Sequence, residues 1–157
     1  MTEDQRLRPS WLVIIPPPAW ALVFVLAAWL AGWALGLSAP WRYPMAGWAV
    51  FVLGFFISAS GRFAFAKAKT EVVPVSKKNS ALVMTGPFRF TRNPMYLGIL
   101  VATAGLALVI GTYLGFAAPV AFFVFVNFIS IPYEEEKMER QFGGDYRAYK
   151  ARVRRWI

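Results

Sequence analysis

Between Arg92 and Glu134 the chain runs for 41 residues, Asn93 to Tyr133, without a charged side chain. As one helix this run would be about 60 Å long, roughly twice the hydrocarbon core of a bilayer. It must therefore fold back on itself, and Gly111-Thr112, near its middle, offers the turn. The pattern predicts a helical hairpin, Pro94–Ile110 followed by Tyr113–Ile131, with both outer ends on one membrane face. Pro94 suits a first helical turn, where its missing N–H costs nothing. Pro119 lies deeper and predicts a kink in the second arm.

Two more uncharged stretches of 19 residues precede the hairpin, Ala19–Leu37 and Tyr43–Gly61. Each is just long enough to span. Pro16-Pro17-Pro18 reads as a stiff lead-in, and the first stretch, with Trp20, Trp29 and Trp33, reads as a retained anchor and not a cleaved signal. Ala39-Pro40-Trp41-Arg42-Tyr43-Pro44 reads as a turn with interfacial aromatics. A soluble fold of 157 residues, 58% of them hydrophobic, could not bury so much apolar surface. The expected fold class is all-α integral membrane, with about four transmembrane helices. The division is a lead-in 1–18, two spans in 19–61, a loop 62–92, the hairpin 93–133 and a tail 134–157, together one membrane domain.

The net charge of +9 has three possible uses: nucleic acid, anionic lipid or membrane topology. Of the 17 basic residues, 2 precede the first span, 7 lie in 62–92 and 7 in the tail, leaving Arg42 alone on the opposite side. That asymmetry points to topology and lipid attraction, not nucleic acid. It places both termini in the cytoplasm and makes the protein multi-pass, in a bacterial cytoplasmic membrane. Nothing in the sequence signals an oligomeric state, although Gly32 and Gly36 have a spacing that packs helices. In the tail, Glu134–Phe142 predicts a helix ended by Gly143-Gly144. Asp145 would cap a second helix, Tyr146–Val153, whose Tyr146, Tyr149 and Val153 make one apolar face for the membrane surface or for the protein.

Cysteine and histidine are both absent. Disulfides, thiolate nucleophiles, Cys/His zinc sites and imidazole bases are thereby excluded. Two polar constellations remain. Gly86-Pro87-Phe88-Arg89-Phe90-Thr91-Arg92-Asn93-Pro94-Met95-Tyr96-Leu97-Gly98 is a loop entering a helix, whose free N–H groups and positive pole suit an anionic group. Arg92 could fork onto a carboxylate, and Gly98 would let a ligand or another helix come close. An ordinary membrane-helix start, with arginines that snorkel, uses the same residues. Glu134-Glu135-Glu136 follows the last span. These carboxylates either complement a helix dipole or hold ribose hydroxyls or an ammonium group. Successive positions diverge by about 100°, so one or two of the three face inward. If the hairpin closes, Arg92–Gly98 and Glu134–Glu135 become neighbours.

In order and spacing these residues resemble the membrane methyltransferases typified by isoprenylcysteine carboxyl methyltransferase and the phospholipid methyltransferases. The family pattern R-H-P-x-Y-x-G reads here Arg92-Asn93-Pro94-Met95-Tyr96-Leu97-Gly98, preceded by Gly86-Pro87-Phe88-Arg89. Its acidic pair reads Glu134-Glu135, and its tail reads Phe142-Gly143, Tyr146, Tyr149, Arg152-Val153 and Arg155-Trp156-Ile157. The resemblance covers roughly residues 80–157. Asn93 stands where the family usually has His, and Ser130 where it usually has Arg.

The resemblance implies S-adenosyl-L-methionine as cosubstrate, held by Arg92, Asn93, Tyr96, Leu97, Gly98, Glu134 and Glu135. Of these, Arg92, Asn93 and Glu135 would be catalytic, and no metal is implied. The implied acceptor is a small lipophilic carboxylate or amine entering from the bilayer. Methyl transfer from a sulfonium depends chiefly on positioning, so the missing His and Cys are no obstacle. Phe88, Phe90 and Tyr96 would make a dry wall, or else belong to the interfacial aromatic belt. Two other readings use the same residues: a non-catalytic adaptor or transport subunit on this fold, and a nicotinamide-dependent membrane reductase.

Overall fold

A computed structural model describes residues 11–37, 42–68 and 81–157. The lead-in before Trp11, the turn residues Ala39–Trp41 and the middle of the polar loop, with Pro74, Lys77, Lys78 and Asn79, lie outside the described residues. The described residues are helical wherever they are regular. In order they form α1 (Trp11–Ile14), α2 (Pro17–Ala34), α3 (Pro44–Lys67), a 3-10 turn (Gly86–Arg89), α4 (Pro94–Ile110), a second 3-10 turn (Tyr113–Phe116), α5 (Ala117–Phe125), a π turn (Val126–Ser130), α6 (Ile131–Phe142) and α7 (Gly144–Arg152). The fold is all-α and integral to the membrane. Pro17–Ala34, Pro44–Lys67 and the continuous rod Tyr113–Phe142 are each long and apolar enough to cross, and α4 is a shorter apolar helix of 17 residues.

The hairpin forms where the charge-free run requires it. Gly111 closes α4 in the left-handed region, φ 64°, which only glycine adopts without strain. The Thr112 hydroxyl accepts from the Gly115 N–H at 3.0 Å and starts the next arm. Pro119 sits in the first turn of α5, and the irregularity of this arm is the π turn at Val126–Ser130, not a proline kink. The acidic triplet lies on α6, which continues the fourth span without a break. α3 runs to Lys67, six residues beyond the end of its uncharged stretch. Charges end a hydrophobic run but not a helix, since long basic side chains can reach water from a buried stem. Pro17 and Pro18 are not a separate lead-in. They occupy the first turn of α2.

A glycine seam holds α3 to α4. Gly47, Gly54 and Gly61 recur every seven residues on α3, against Gly98 and Gly105, also seven apart, on α4. A Cβ on Gly54 would lie 2.3 Å from the Ala102 nitrogen, and one on Gly98 2.3 Å from the Ser58 nitrogen. The two backbones therefore touch, which is how helices associate where lipid removes the hydrophobic drive between them. Gly32 packs on Thr112, whereas Gly36, φ 65°, has open space around its Cβ position and ends α2 instead of packing.

The rest of the core gathers Tyr96, Phe122, Phe125, Val126 and Ile131. Trp20 of α2 meets Phe125 with ring centroids 4.8 Å apart and donates its indole N–H to the Leu12 carbonyl at 2.9 Å. That bond lays α1 across the polar end of the bundle. The start of α7 departs from expectation: Gly143, φ 52°, separates α6 from α7, and Asp145 lies in the first turn instead of capping it. Tyr146 and Tyr149 are buried, so the apolar face of α7 packs on the protein.

Candidate functional site

The entry loop is built before the site is. Phe88 is buried against Phe65 of α3, ring centroids 5.2 Å apart and nearly perpendicular. Tyr149 donates its hydroxyl to the Phe88 carbonyl at 2.7 Å, which ties α7 to the same loop. Phe90, by contrast, is exposed. At the end of the loop Thr91 accepts from the Asn93 N–H at 3.1 Å and donates to the Arg155 carbonyl at 3.0 Å. The Asn93 side chain also donates to the Arg155 carbonyl, 3.0 Å. No side chain caps α4, so the N–H groups of its first turn keep the free valences that every helix start has.

Arg92 and Glu135, from opposite ends of the hairpin, meet at 2.7 Å with side chains only 9% exposed. Arg92 spends its other terminal nitrogen on the carbonyls of Val153, 2.7 Å, and Lys150, 3.1 Å. Its Nε–H is buried and has no hydrogen-bond partner. Glu135 receives a second arginine: Arg155 forks onto its two oxygens at 3.1 and 2.8 Å. Lys150 Nζ lies 3.8 Å away. Forked arginine–carboxylate pairs are the geometrically specific kind. Beside them Tyr96 donates to Glu134 at 2.6 Å. Glu136 points away and pairs with Arg140, one turn on, at 2.6 Å in solvent.

The π turn makes this arrangement possible. Its widened backbone leaves the Asn127 carbonyl to accept from Arg155 at 3.3 Å, while the Asn127 side chain accepts from Arg155, 3.3 Å, and from the Trp156 indole, 3.0 Å. The last residues are thus stitched to two places at once, the Thr91–Asn93 loop and the π turn.

These groups surround a cavity of about 500 Å³. Its polar wall includes Arg92, Asn93, Tyr96, Glu134 and Glu135, together with Arg62 and Lys137, and its apolar wall includes Val13, Phe55, Ala59, Phe65 and Phe88. Tyr146 and Tyr149 also line it. Burial pushes the Tyr149 phenol up to about 12 against the pull of the nearby Arg92 charge, and raises Tyr146 as well, chiefly by burial and then by the Glu135 charge. Both are neutral at physiological pH.

Of the seven residues marked in the sequence, five line this cavity: Arg92, Asn93, Tyr96, Glu134 and Glu135. Leu97 and Gly98 do not, because Gly98 faces α3 and its open side is filled by the Ser58 and Gly54 backbone. Arg155, legible as one charge of a basic tail and as part of the Arg155-Trp156-Ile157 ending that carried the resemblance, but not marked as a site residue, holds Glu135. Its signal was the mismatch between three consecutive carboxylates and the lack of any nearby arginine in the last span. Thr91, Asn127 and the cavity-lining Val13 and Ile14 of α1 carried no such signal.

Fold and site together define an all-α membrane protein with a charged cavity where the two ends of a helical hairpin meet. A model of the phospholipid methyltransferase family matches residues 43–145, from the start of α3 into α7. The chain belongs to that family. It is 31% identical over 170 aligned positions to methanethiol S-methyltransferase 1 of Bradyrhizobium diazoefficiens, covering 95% of this chain and 58% of that protein. The chain thus spans little more than half the length of that relative. It is also 36% identical over 63 residues to an uncharacterized protein of Haemophilus influenzae, covering 40% of this chain and all of that one. No solved structure matches the chain.

Proposed function

We propose that this cavity binds S-adenosyl-L-methionine and serves methyl transfer to a small lipophilic acceptor drawn from the bilayer. The observation that carries this reading is the unpartnered, buried Nε–H of Arg92 within a wall that also holds two carboxylates. A zwitterionic cosubstrate supplies what each lacks: a carboxylate for the Arg92 N–H and the first turn of α4, and an ammonium or ribose hydroxyls for Glu134. A volume of about 500 Å³ is within the usual range for such ligands. Bound there, the cosubstrate supplies an electrophilic methyl carbon.

The chain's own residues do the rest. Glu135 is held by two arginines and orients Arg92. Tyr96 fixes the Glu134 carboxylate with one hydrogen bond, leaving its second oxygen for a ligand. The apolar wall keeps water out. A carboxylate acceptor arrives ionised and needs no base. An amine acceptor, or a thiol of the kind named in the Bradyrhizobium relative, gives up a proton, and Glu134 is the carboxylate placed to take it. The cavity end of the bundle faces the cytoplasm in this reading, which the distribution of basic residues supports.

Calorimetry of the purified protein with S-adenosylhomocysteine tests the proposal. Saturable one-to-one binding is expected, weakened in Arg92→Ala. Absence of heat at millimolar ligand, with a folded protein, refutes it. Transfer of labelled methyl from S-adenosylmethionine into a panel of carboxylate, amine and thiol amphiphiles then separates an active enzyme from an adaptor that kept the fold.

A further inference from the structure

One cation in the cavity wall, Arg62, is left unused by the proposed cosubstrate contacts. Arg62 belongs to the face of α3 made by Phe55, Ser58, Ala59, Arg62 and Phe65, all of which line the cavity. Spacings of three and four residues place them on one side of the helix. The depth of Arg62 is fixed by its neighbour Gly61, whose Cβ position falls 2.8 Å from Met95 Cγ and 3.2 Å from Pro94 Cγ. Arg62 therefore stands level with the first turn of α4, which carries Tyr96.

Arg62 is exposed, and no carboxylate among the described residues pairs with it. The carboxylates in the wall are already engaged, Glu134 by Tyr96 and Glu135 by Arg92 and Arg155. Arg62 lies on the cavity wall, with Phe55 and Ala59 before it on the same face of α3 and Phe65 one turn beyond. A guanidinium with free donors beside a dry strip matches a molecule with an anionic head and an aliphatic tail. Lys137 lines the same cavity, so an ammonium head would meet two like charges.

We propose that Arg62 is a specificity-determining residue that selects a single-tailed acceptor with an anionic head, a carboxylate, over a neutral or ammonium-headed one. This rests on the methyl-transfer reading of the cavity and names its acceptor class. Arg62 forks onto the head, and Ala59 and Phe55 take the first methylenes of the tail.

The test uses the whole protein in nanodiscs of zwitterionic lipid, in mildly alkaline buffer where a fatty acid is ionised. Decanoate, 1-decanol and decylammonium are titrated with and without saturating S-adenosylhomocysteine. Decanoate is expected to bind at least about tenfold tighter than decanol, equivalent to roughly 1.4 kcal/mol. Decylammonium is expected to bind weakest. Arg62→Gln abolishes the preference while leaving S-adenosylhomocysteine affinity within about twofold of wild type, a change of roughly 0.4 kcal/mol, and Arg62→Lys restores part of it. Equal binding of decanoate and decanol to wild type overturns the proposal. So does a preference that survives Arg62→Gln, or one that disappears only in Lys137→Gln. Failure of S-adenosylhomocysteine to bind wild type refutes the cosubstrate reading instead, and the head-group comparison is still read.

Discussion

Removing Glu135 leaves Arg92 buried and Arg155 partly buried with no counter-ion, side chains 9% and 32% exposed. Breaking a buried pair from one side costs about 3–5 kcal/mol, because the orphaned charge stays in low dielectric. At about 2–4 °C per kcal/mol for a chain of this size, Glu135→Ala lowers the unfolding midpoint by roughly 6–20 °C. Arg155→Ala costs less. Glu135 keeps Arg92 at 2.7 Å, and the lost fork and Asn127 contacts lie on a partly solvated side chain. A loss of about 1–2 kcal/mol is expected for charge-assisted bonds discounted for that exposure. The double variant removes one orphaned charge, so it should be no worse than Glu135→Ala alone. A double-mutant cycle read by thermal unfolding in one detergent measures this. Coupling of more than about 1 kcal/mol is expected for groups in one network. Strict additivity within about 0.3–0.5 kcal/mol would show that Arg155 and Glu135 act independently, and would refute the stitching of the C-terminal segment to the site.

Gly54→Ala sets a Cβ 2.3 Å from the Ala102 backbone, where neither helix can yield cheaply, and should destabilise by about 1–3 kcal/mol or more. Gly144→Ala, with nothing within 4 Å and no left-handed backbone, should be neutral or gain up to about 1 kcal/mol. Retention time in detergent and the unfolding midpoint report both, and equal effects would refute the seam. Asn93→Asp replaces the donor to the Arg155 carbonyl with an acceptor, so S-adenosylhomocysteine affinity should fall, by about tenfold for roughly 1.4 kcal/mol. Asn93→His keeps a donor and should preserve most of it, which calorimetry decides. The raised Tyr149 pKa means that the folded state holds its proton longer than the unfolded one. Stability from this group is therefore complete below about pH 10, the unfolded value, and declines as pH rises toward about 12. Tyr149→Phe should flatten that alkaline decline and lose the bond to the Phe88 carbonyl, about 1 kcal/mol.

The hairpin was legible because a charge-free run has few physical outcomes. Its length forces a reversal, and Gly111 supplies the one left-handed residue the reversal needs. The meeting of Arg92 with Glu135 followed from that reversal alone. The α3–α4 seam was present in the sequence too, as glycines seven apart, but a spacing of seven competes with many chance spacings in a glycine-rich chain. Gly32 and Gly36 looked as good and proved to be one contact and one helix end. The π turn left no trace, since Val126-Asn127-Phe128-Ile129-Ser130 reads like any apolar helix. Arg155 escaped for a different reason. Its partners lie 20 residues away on α6 and 28 away on the π turn, and ion pairing has no period to reveal it.

In the membrane, apolar side chains gain little by leaving lipid for protein, so helix association rests on close backbone contact and polar bonds. The buried positions of α3 are Gly47, Gly54 and Gly61, while its phenylalanines at 56 and 63 face outward. The seam fixes α3 on α4 up to Gly61 against Pro94 and Met95, but it does not hold the loop, the π turn and the chain end that converge at the polar end. Arg92, Glu135, Arg155 and Asn127 hold that end, and Arg92 and Glu135 also line the cavity. Folding and ligand binding therefore draw on the same bonds. A ligand carboxylate satisfying the Arg92 Nε–H adds a bond that the empty protein lacks, and should raise the unfolding midpoint as mass action requires. At a hundredfold excess over its dissociation constant, S-adenosylhomocysteine should stabilise by about 2.7 kcal/mol, a shift of roughly 5–11 °C. The shift should shrink in Arg92→Ala, as the weaker binding requires, and persist in Arg62→Gln. An unchanged shift in Arg92→Ala would mean that the ligand is held elsewhere, and the cavity at the open end of the hairpin would lose its claim to the cosubstrate.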